Sequence, residues 1–79
     1  MATSTNKRVL TGTQKALHQV KLGKVRAVDA VRYVAKHYPT LKRGDLLAIA
    51  KAEGVNEHTA NTQFYGTRSG RFAAPDSLD

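Results

Sequence analysis

The most distinctive chemistry in this chain lies in residues 54–68, which read GVNEHTANTQFYGTR and are rich in side chains that donate and accept hydrogen bonds. Amides of Asn and Gln can pair with adenine through two hydrogen bonds, and Thr can contact the methyl group of thymine. Tyr and His can bond phosphate or stack on a base. Our candidates for reading base edges are Asn56, His58, Asn61, Thr62, Gln63 and Tyr65, with Asn61 and Gln63 the strongest.

The same composition has other interpretations, which stay open at this stage. A helix that only faces solvent usually prefers Lys, Glu and Gln to Asn and Thr, so the pattern favours a partner over plain solvent. A polar solvent face and a protein-binding face are the two alternatives to base reading. In either case, Ala60 and Phe64 are predicted to face inward.

Net charge indicates what kind of partner to expect. Thirteen Lys and Arg against six Asp and Glu give +7, and residues 15–43 hold eight basic side chains against a single acid, Asp29. Such a surface favours nucleic acid or anionic lipid. No apolar run approaches the length of a membrane span. The apolar residues within 26–39 are mostly Val and Ala, which anchor weakly to a lipid surface. We therefore expect no membrane partner.

Contacts with phosphate would have to come from the borders of the candidate segment, because Asp45 to Tyr65 contains three acids and one base, Lys51. Basic residues at the start of a helix are well placed for phosphates. The predicted phosphate contacts are Lys42, Arg43, Thr59, Arg68 and Arg71. Lys7 and Arg8 are predicted to follow the minor groove as part of a mobile arm.

Helical periodicity predicts the elements that would position these residues. A first helix is expected from about Thr13 to Leu22, with Thr11 or Thr13 as N-cap and Gly23 past its end. Its predicted buried stripe is Ala16, Leu17 and Val20. The second helix lies within residues 26–39 and ends at Pro39. Its predicted apolar stripe is Ala27, Val28, Val31, Val34, Ala35 and Tyr38.

Two further helices are predicted downstream. Thr40 is the expected N-cap of the third, whose apolar face is Leu46, Leu47, Ile49 and Ala50. Gly54 suits the left-handed position at its end, and Asn56 is the expected N-cap of the fourth, with Glu57 in its first turn. Over residues 62–72 a β-hairpin wing competes with a helix, which we favour. The predicted organisation is a flexible basic arm over residues 1–10, a helical domain over 11–68 and a tail over 69–79.

Residues 46–65, which read LLAIAKAEGVNEHTANTQFY, resemble the helix-turn-helix of DNA-binding proteins and are similar to that of small phage and plasmid regulators. The resemblance gives Ala50 and Ala60 the small contacts between the two helices, Gly54 the tight turn and Val55 the plug between them. It implies that the second helix enters the major groove and that two copies bind as a symmetric dimer. Glu53 and Gln63 depart from the pattern, which usually has apolar residues there.

Catalysis has little support in the sequence. The three His are scattered, no Cys is present, and every Ser lies in a predicted tail, so we expect no enzyme activity, no metal and no cofactor. The sequence predicts an all-α bundle of three or four helices that binds double-stranded DNA sequence-specifically, as a small transcriptional regulator of a phage or mobile element. Its expected location is the cytoplasm of a prokaryotic or phage-infected cell, at the nucleoid. The alternatives are an adaptor or inhibitor of a host protein, and a non-specific DNA-coating protein.

Overall fold

Four α-helices make up the fold in the computed structural model, which describes residues 7–78. They are α1 (Lys7–Lys21), α2 (Ala27–His37), α3 (Arg43–Ala52) and α4 (Glu57–Arg68). The all-α prediction is confirmed. Between residues 7 and 78 no β-strand forms: residues 62–68 are helical and 69–72 form a turn and bends, so the hairpin alternative does not occur. No helix in this range is long and apolar enough to cross a membrane.

The first helix begins at Lys7 instead of about Thr13, so the predicted N-cap at Thr11 or Thr13 is wrong. Thr13 lies fully buried inside the helix. At Gly12 the ring of Tyr38 lies so close that a Cβ atom would collide with it. Tyr38, at the end of α2, thus packs against a part of α1 whose residue types have low helix propensity. Residues 7–10 of the predicted arm, which include Lys7 and Arg8, are therefore helical, and its residues 1–6 lie outside the described residues.

The third helix, in contrast, starts later than predicted. Its N-cap is Lys42, which makes no side-chain capping bond, and the prediction of Thr40 is wrong. The reason is Leu41, which is 1% exposed and whose N–H donates to the carbonyl of Tyr38 at 2.9 Å. This bond closes a turn over residues 38–41, so Leu41 belongs to the turn and the helix begins C-terminal to it.

Each helix packs against two others: α1 and α4 both contact α2 and α3. The core between them consists of small and medium apolar side chains, and burial of one Val or Leu contributes about 1.5–3 kcal/mol. Its members are Ala16, Leu17, Ala30, Val31, Val34, Ala35, Leu41, Leu46, Ala50, Val55, Ala60 and Phe64. The predicted inward faces of α2 and α4 are thus confirmed, except that Ala27, Val28 and Tyr38 are only half-buried.

A four-residue connection, residues 53–56, sets the entry into α4. Gly54 has φ +77°. Its N–H donates to the carbonyl of Lys51, and the N–H of Val55 donates to the carbonyl of Ala50 at 2.7 Å. These two bonds close α3 in the pattern that a left-handed residue allows. Asn56 then caps α4, since its side-chain oxygen accepts from the N–H of Thr59 at 3.1 Å. The predictions for Gly54 and Asn56 are both confirmed.

The segment predicted as a tail packs back onto the helices as far as residue 78. The ring of Phe72 lies against Gly66, in the space where a Cβ atom would sit, and under the guanidinium of Arg32 at 4.4 Å. Asp76 pairs with Lys36 on α2 at 3.1 Å, and Leu78 packs against the core. We call residues 69–78 the C-terminal segment.

Gly54→Ala should destabilise the fold by about 1–2 kcal/mol, because an L-residue with a side chain resists the left-handed conformation. The space around Gly54 is open, so the cost comes from the backbone alone. The matched control is Gly44→Ala in α3, which also meets open space and should stabilise by up to about 1 kcal/mol. Urea denaturation followed by circular dichroism measures both, and an unchanged midpoint for Gly54→Ala would contradict the turn described.

Candidate nucleic-acid interface

One face of α4 points into solvent along its whole length. His58, Thr62 and Tyr65 are exposed and lie four and three residues apart, opposite the buried Ala60 and Phe64. We call these three side chains the α4 ridge. Tyr65 is 69% exposed, an unusual position for a large ring that could otherwise have packed. The ridge therefore presents an imidazole, a hydroxyl with a methyl group, and a phenol to any partner.

At one edge of the ridge, Asn61 meets the first residue of α3. The Nε of Arg43 donates to the Oδ1 of Asn61 at 2.5 Å. The predicted base-reading residue and the predicted phosphate contact are thus brought together, although they are separated by a helix and a turn in the sequence. Arg43 remains exposed and Asn61 is half-buried.

At the opposite edge of the ridge, the side chain of Gln63 makes a hydrogen bond within the protein. Its Oε1 accepts from the Nε of Arg32 at 2.7 Å, in a partly buried contact between α4 and α2. The other side of Arg32 is covered by Phe72, and a second donor of its guanidinium reaches the carbonyl of Ala73 at 3.5 Å. Gln63 faces α2 through its Oε1, and its predicted base contact stays a prediction. No local pattern predicts this pair, whose members lie 31 positions apart.

Asn56 and Thr59, predicted to contact a base and a phosphate, bond to each other at the start of α4. The Oδ1 of Asn56 is held by the N–H of Thr59, so the amide of Asn56 caps the helix. Thr59 itself is half-buried and its backbone donor is taken, which leaves it poorly placed for a phosphate. Both residues contribute to the position of α4, and neither belongs to the ridge.

Arg68 anchors the end of α4 to the end of α2. Its Nε donates to the carbonyl of Ala35 at 2.9 Å, and one Nη donates to those of Tyr38 and Leu41 at 2.8 and 2.9 Å. Carbonyls at the end of a helix lack partners within it and carry partial negative charge, which a guanidinium satisfies. Desolvation by burial lowers the pKa of Arg68, and an arginine stays protonated nonetheless. The guanidinium of Arg68 also lies over the ring of Phe64 at 4.4 Å, and the predicted phosphate contact of Arg68 stays a prediction.

The remaining predicted cations are all exposed, but they do not lie together. Lys42 caps α3 next to Arg43, and Arg71 follows the end of α4. Lys7 and Arg8 lie in the first turn of α1, where they line a shallow groove of about 530 Å³ with Lys15 and Tyr38. Because α1 contacts α2 and α3, this groove belongs to another side of the bundle than the α4 ridge.

The two departures from the helix-turn-helix pattern each have a polar partner. Glu53, with 11% of its side chain exposed, accepts from the Nδ1 of His18 at 2.9 Å, which ties the turn before α4 to α1. Gln63 has Arg32, as described above. Polar residues can occupy these positions because α1 and α2 each supply a hydrogen-bonding side chain there. Within residues 7–78, no three His, Asp or Glu side chains lie close enough to hold a metal ion.

In comparisons with known proteins, no family model, no curated protein and no solved structure matches the chain. The residues and their geometry are therefore the basis for assigning a function.

Arg68→Ala should destabilise the fold by about 2 kcal/mol, because hydrogen bonds from a charged donor to three carbonyls are lost. The matched control is Arg71→Ala, an exposed neighbour with the same charge, which should change stability by less than about 0.5 kcal/mol. Thermal denaturation of both variants checks the difference. Equal stability of the two would mean that the three carbonyl contacts contribute nothing.

Proposed function

We propose that the protein binds double-stranded DNA in a sequence-specific manner, through the α4 ridge together with Arg43 and Asn61. In this proposal α3, the turn at residues 53–56 and α4 act as a helix-turn-helix, and the protein is a small transcriptional regulator of a phage or mobile element. The observation that carries it is the ridge itself: His58, Thr62 and Tyr65 are exposed, while other contacts hold α4 through the cap at Asn56, Gln63 and Arg68.

The dimensions of α4 suit the major groove. Twelve residues at about 1.5 Å each give a helix of roughly 18 Å, and the major groove, about 12 Å wide, admits one helix. Anchoring of Gln63 to α2 and of Arg68 to three carbonyls leaves the ridge as the outermost part of this helix. A rigidly held helix presents its side chains with little loss of conformational entropy on binding.

Charge supports a polyanionic partner and limits what the ridge can do alone. Its three side chains bring no permanent charge, so affinity for phosphate has to come from exposed cations outside the ridge, among them Lys42 and Arg71. The overall charge of +7 adds attraction at a distance. In this division of roles, the cations position the protein on the backbone and the ridge reads the bases.

One observation favours the alternative of a host-protein partner. Tyr65 is a large, 69% exposed ring, and tyrosines are frequent anchors of protein interfaces. The two functions respond differently to salt, because contacts with phosphate weaken steeply as ionic strength rises and a buried protein interface changes less. Coating of DNA without sequence preference is the third case, and would depend on the cations alone.

Symmetric binding is part of the proposal, since regulators of this type place two recognition helices about one DNA turn apart. Tyr33 and α1 are our candidates for the dimer surface. Tyr33 stacks on His37 with ring centroids 4.3 Å apart, and lines a groove with Ala16 of α1 and Leu78.

Selection of bound duplexes from a random DNA pool at about 150 mM salt tests the proposal, because non-specific contacts with phosphate are weakened there. We expect a palindromic consensus, which would establish both sequence preference and binding as a dimer. A flat pool with retained salt-sensitive binding would indicate DNA coating. A flat pool without binding, together with salt-resistant capture of one host protein, would favour the adaptor.

Thr62→Ala and Tyr65→Ala should each weaken binding to the selected site by about 1–3 kcal/mol and change binding to random DNA little, because they remove contacts with bases. The control is Thr40→Ala, an exposed polar residue of the turn after α2, which should leave both affinities unchanged. Fluorescence anisotropy with the two duplexes measures the differences. Equal losses on selected and random DNA would contradict base reading by the ridge.

A further inference from the structure

The contact between Arg43 and Asn61 joins two elements next to the α4 ridge. Arg43 is the first residue of α3, and Asn61 lies on α4, one position before Thr62. The Nε–Oδ1 distance of 2.5 Å makes this a direct hydrogen bond. Since a guanidinium has no acceptor, the atom of Asn61 that faces it has to be the amide oxygen.

This bond changes which hydrogen-bonding groups the two side chains can offer to a partner. Nε is one of the five N–H donors of Arg43, so four remain on its two Nη atoms. The amide nitrogen of Asn61 keeps two donors, while the oxygen is directed at Arg43. Together the two side chains present N–H donors at the edge of the ridge, and the one acceptor, Oδ1 of Asn61, already takes a hydrogen bond from Arg43.

Pairing with adenine would use the oxygen that faces Arg43. Two-point pairing of an Asn with adenine needs the amide oxygen to accept from N6 while the amide nitrogen donates to N7. The oxygen of Asn61 would then have to accept from adenine and from Arg43 at the same time, with one lone pair for each. Guanine, in contrast, displays two acceptors in the major groove, O6 and N7, and an Arg fork fits both at once.

We propose that Arg43 reads a guanine in the major groove and that Asn61 is the positioning residue that holds its guanidinium for that contact. This inference rests on the proposed function, because it names the base that the same interface recognises. It exchanges the roles that residue types alone suggest, in which Asn61 reads a base and Arg43 contacts phosphate.

The contribution of Asn61 is to fix the guanidinium plane. A free Arg side chain loses rotamer entropy when it is immobilised, and a two-point contact with guanine needs one particular plane. A hydrogen bond at Nε restrains this plane before DNA arrives and leaves the fork itself open. A phosphate, in contrast, accepts a guanidinium in many orientations and carries no base preference.

The first test compares variants by selection from the random pool and by anisotropy on the selected duplex. Arg43→Ala should remove the preference for guanine at one position of each half-site, with a loss of about 10- to 100-fold on the selected duplex and little on random DNA. Asn61→Ala should broaden the same position. Lys51→Ala, an exposed cation in the last turn of α3, is the control and should leave that position unchanged.

A conservative variant separates positioning from a purely structural role. Asn61→Asp keeps an oxygen acceptor for Arg43 and lacks the amide donors, so it should restore the guanine preference that Asn61→Ala loses, at lower overall affinity because it adds negative charge near phosphates. Melting temperatures of all variants, measured in parallel, are expected to stay close to that of the wild type. No rescue by Asp at unchanged stability would contradict the positioning role.

The second test needs no variant of the protein. Replacement of the recognised guanine by 7-deazaguanine removes the N7 acceptor and retains O6 and Watson–Crick pairing. Wild-type protein should bind this duplex about 10-fold more weakly, whereas Arg43→Ala should bind both duplexes equally. Equal binding of the two duplexes by the wild type would overturn the guanine contact.

The outcomes separate this inference from the function on which it rests. If the wild-type pool is flat, sequence-specific binding itself fails. If a consensus appears and Arg43→Ala weakens all sequences equally, Arg43 contacts phosphate and only the guanine inference is overturned. The same holds if Asn61→Ala removes a preference for adenine.

Discussion

The guanidinium of Arg68 lies among the carbonyl oxygens of Ala35, Tyr38 and Leu41, where α2 ends and the chain turns toward α3. The carbonyls of Ala35 and Leu41 would otherwise face water or remain without partners, and that of Tyr38 also accepts from the N–H of Leu41. Through this side chain the end of α4 is fastened to backbone of α2 and of the following turn. The direction of α4 follows from this anchor at one end and from the Asn56 cap at the other, and the position of the ridge follows from the direction of α4.

Other polar contacts between elements assist a core that consists largely of Ala and Val. A chain of this size buries only about 60% of the surface it exposes when unfolded, so such contacts matter more than in a larger domain. The bond from Arg32 to Gln63 is partly buried and covered by Phe72, which raises its contribution. The pair of Lys36 with Asp76 is open to solvent and contributes little.

Local chemistry predicted the features that depend on few neighbours. The apolar stripe of α2, the left-handed Gly54, the cap at Asn56 and the inward Phe64 all follow from residue types at helical spacing. Contacts between residues distant in sequence account for the helix starts that were predicted wrongly. Packing of Tyr38 on Gly12 accompanies the early start of α1, and α3 begins only beyond the buried Leu41. At the candidate site, a Gln on a polar helix and an Arg at its end were predicted to contact DNA. Both also have partners within the protein, in α2 and the turn after it, about 30 positions away, and no short window of sequence contains both members of such a pair.

The α4 ridge and the anchors of α4 lie on different sides of the same helix, and this has a consequence for how the protein can diverge. His58, Thr62 and Tyr65 contribute almost nothing to holding the helix in place, whereas Ala60, Gln63, Phe64 and Arg68 hold it. Exchange of a ridge side chain is therefore nearly neutral for folding. Two of the contacts of Arg68 are to the backbone of a turn, which tolerates changes of side chain as well. Descendants of this chain could acquire new binding preferences one residue at a time while each intermediate remains folded.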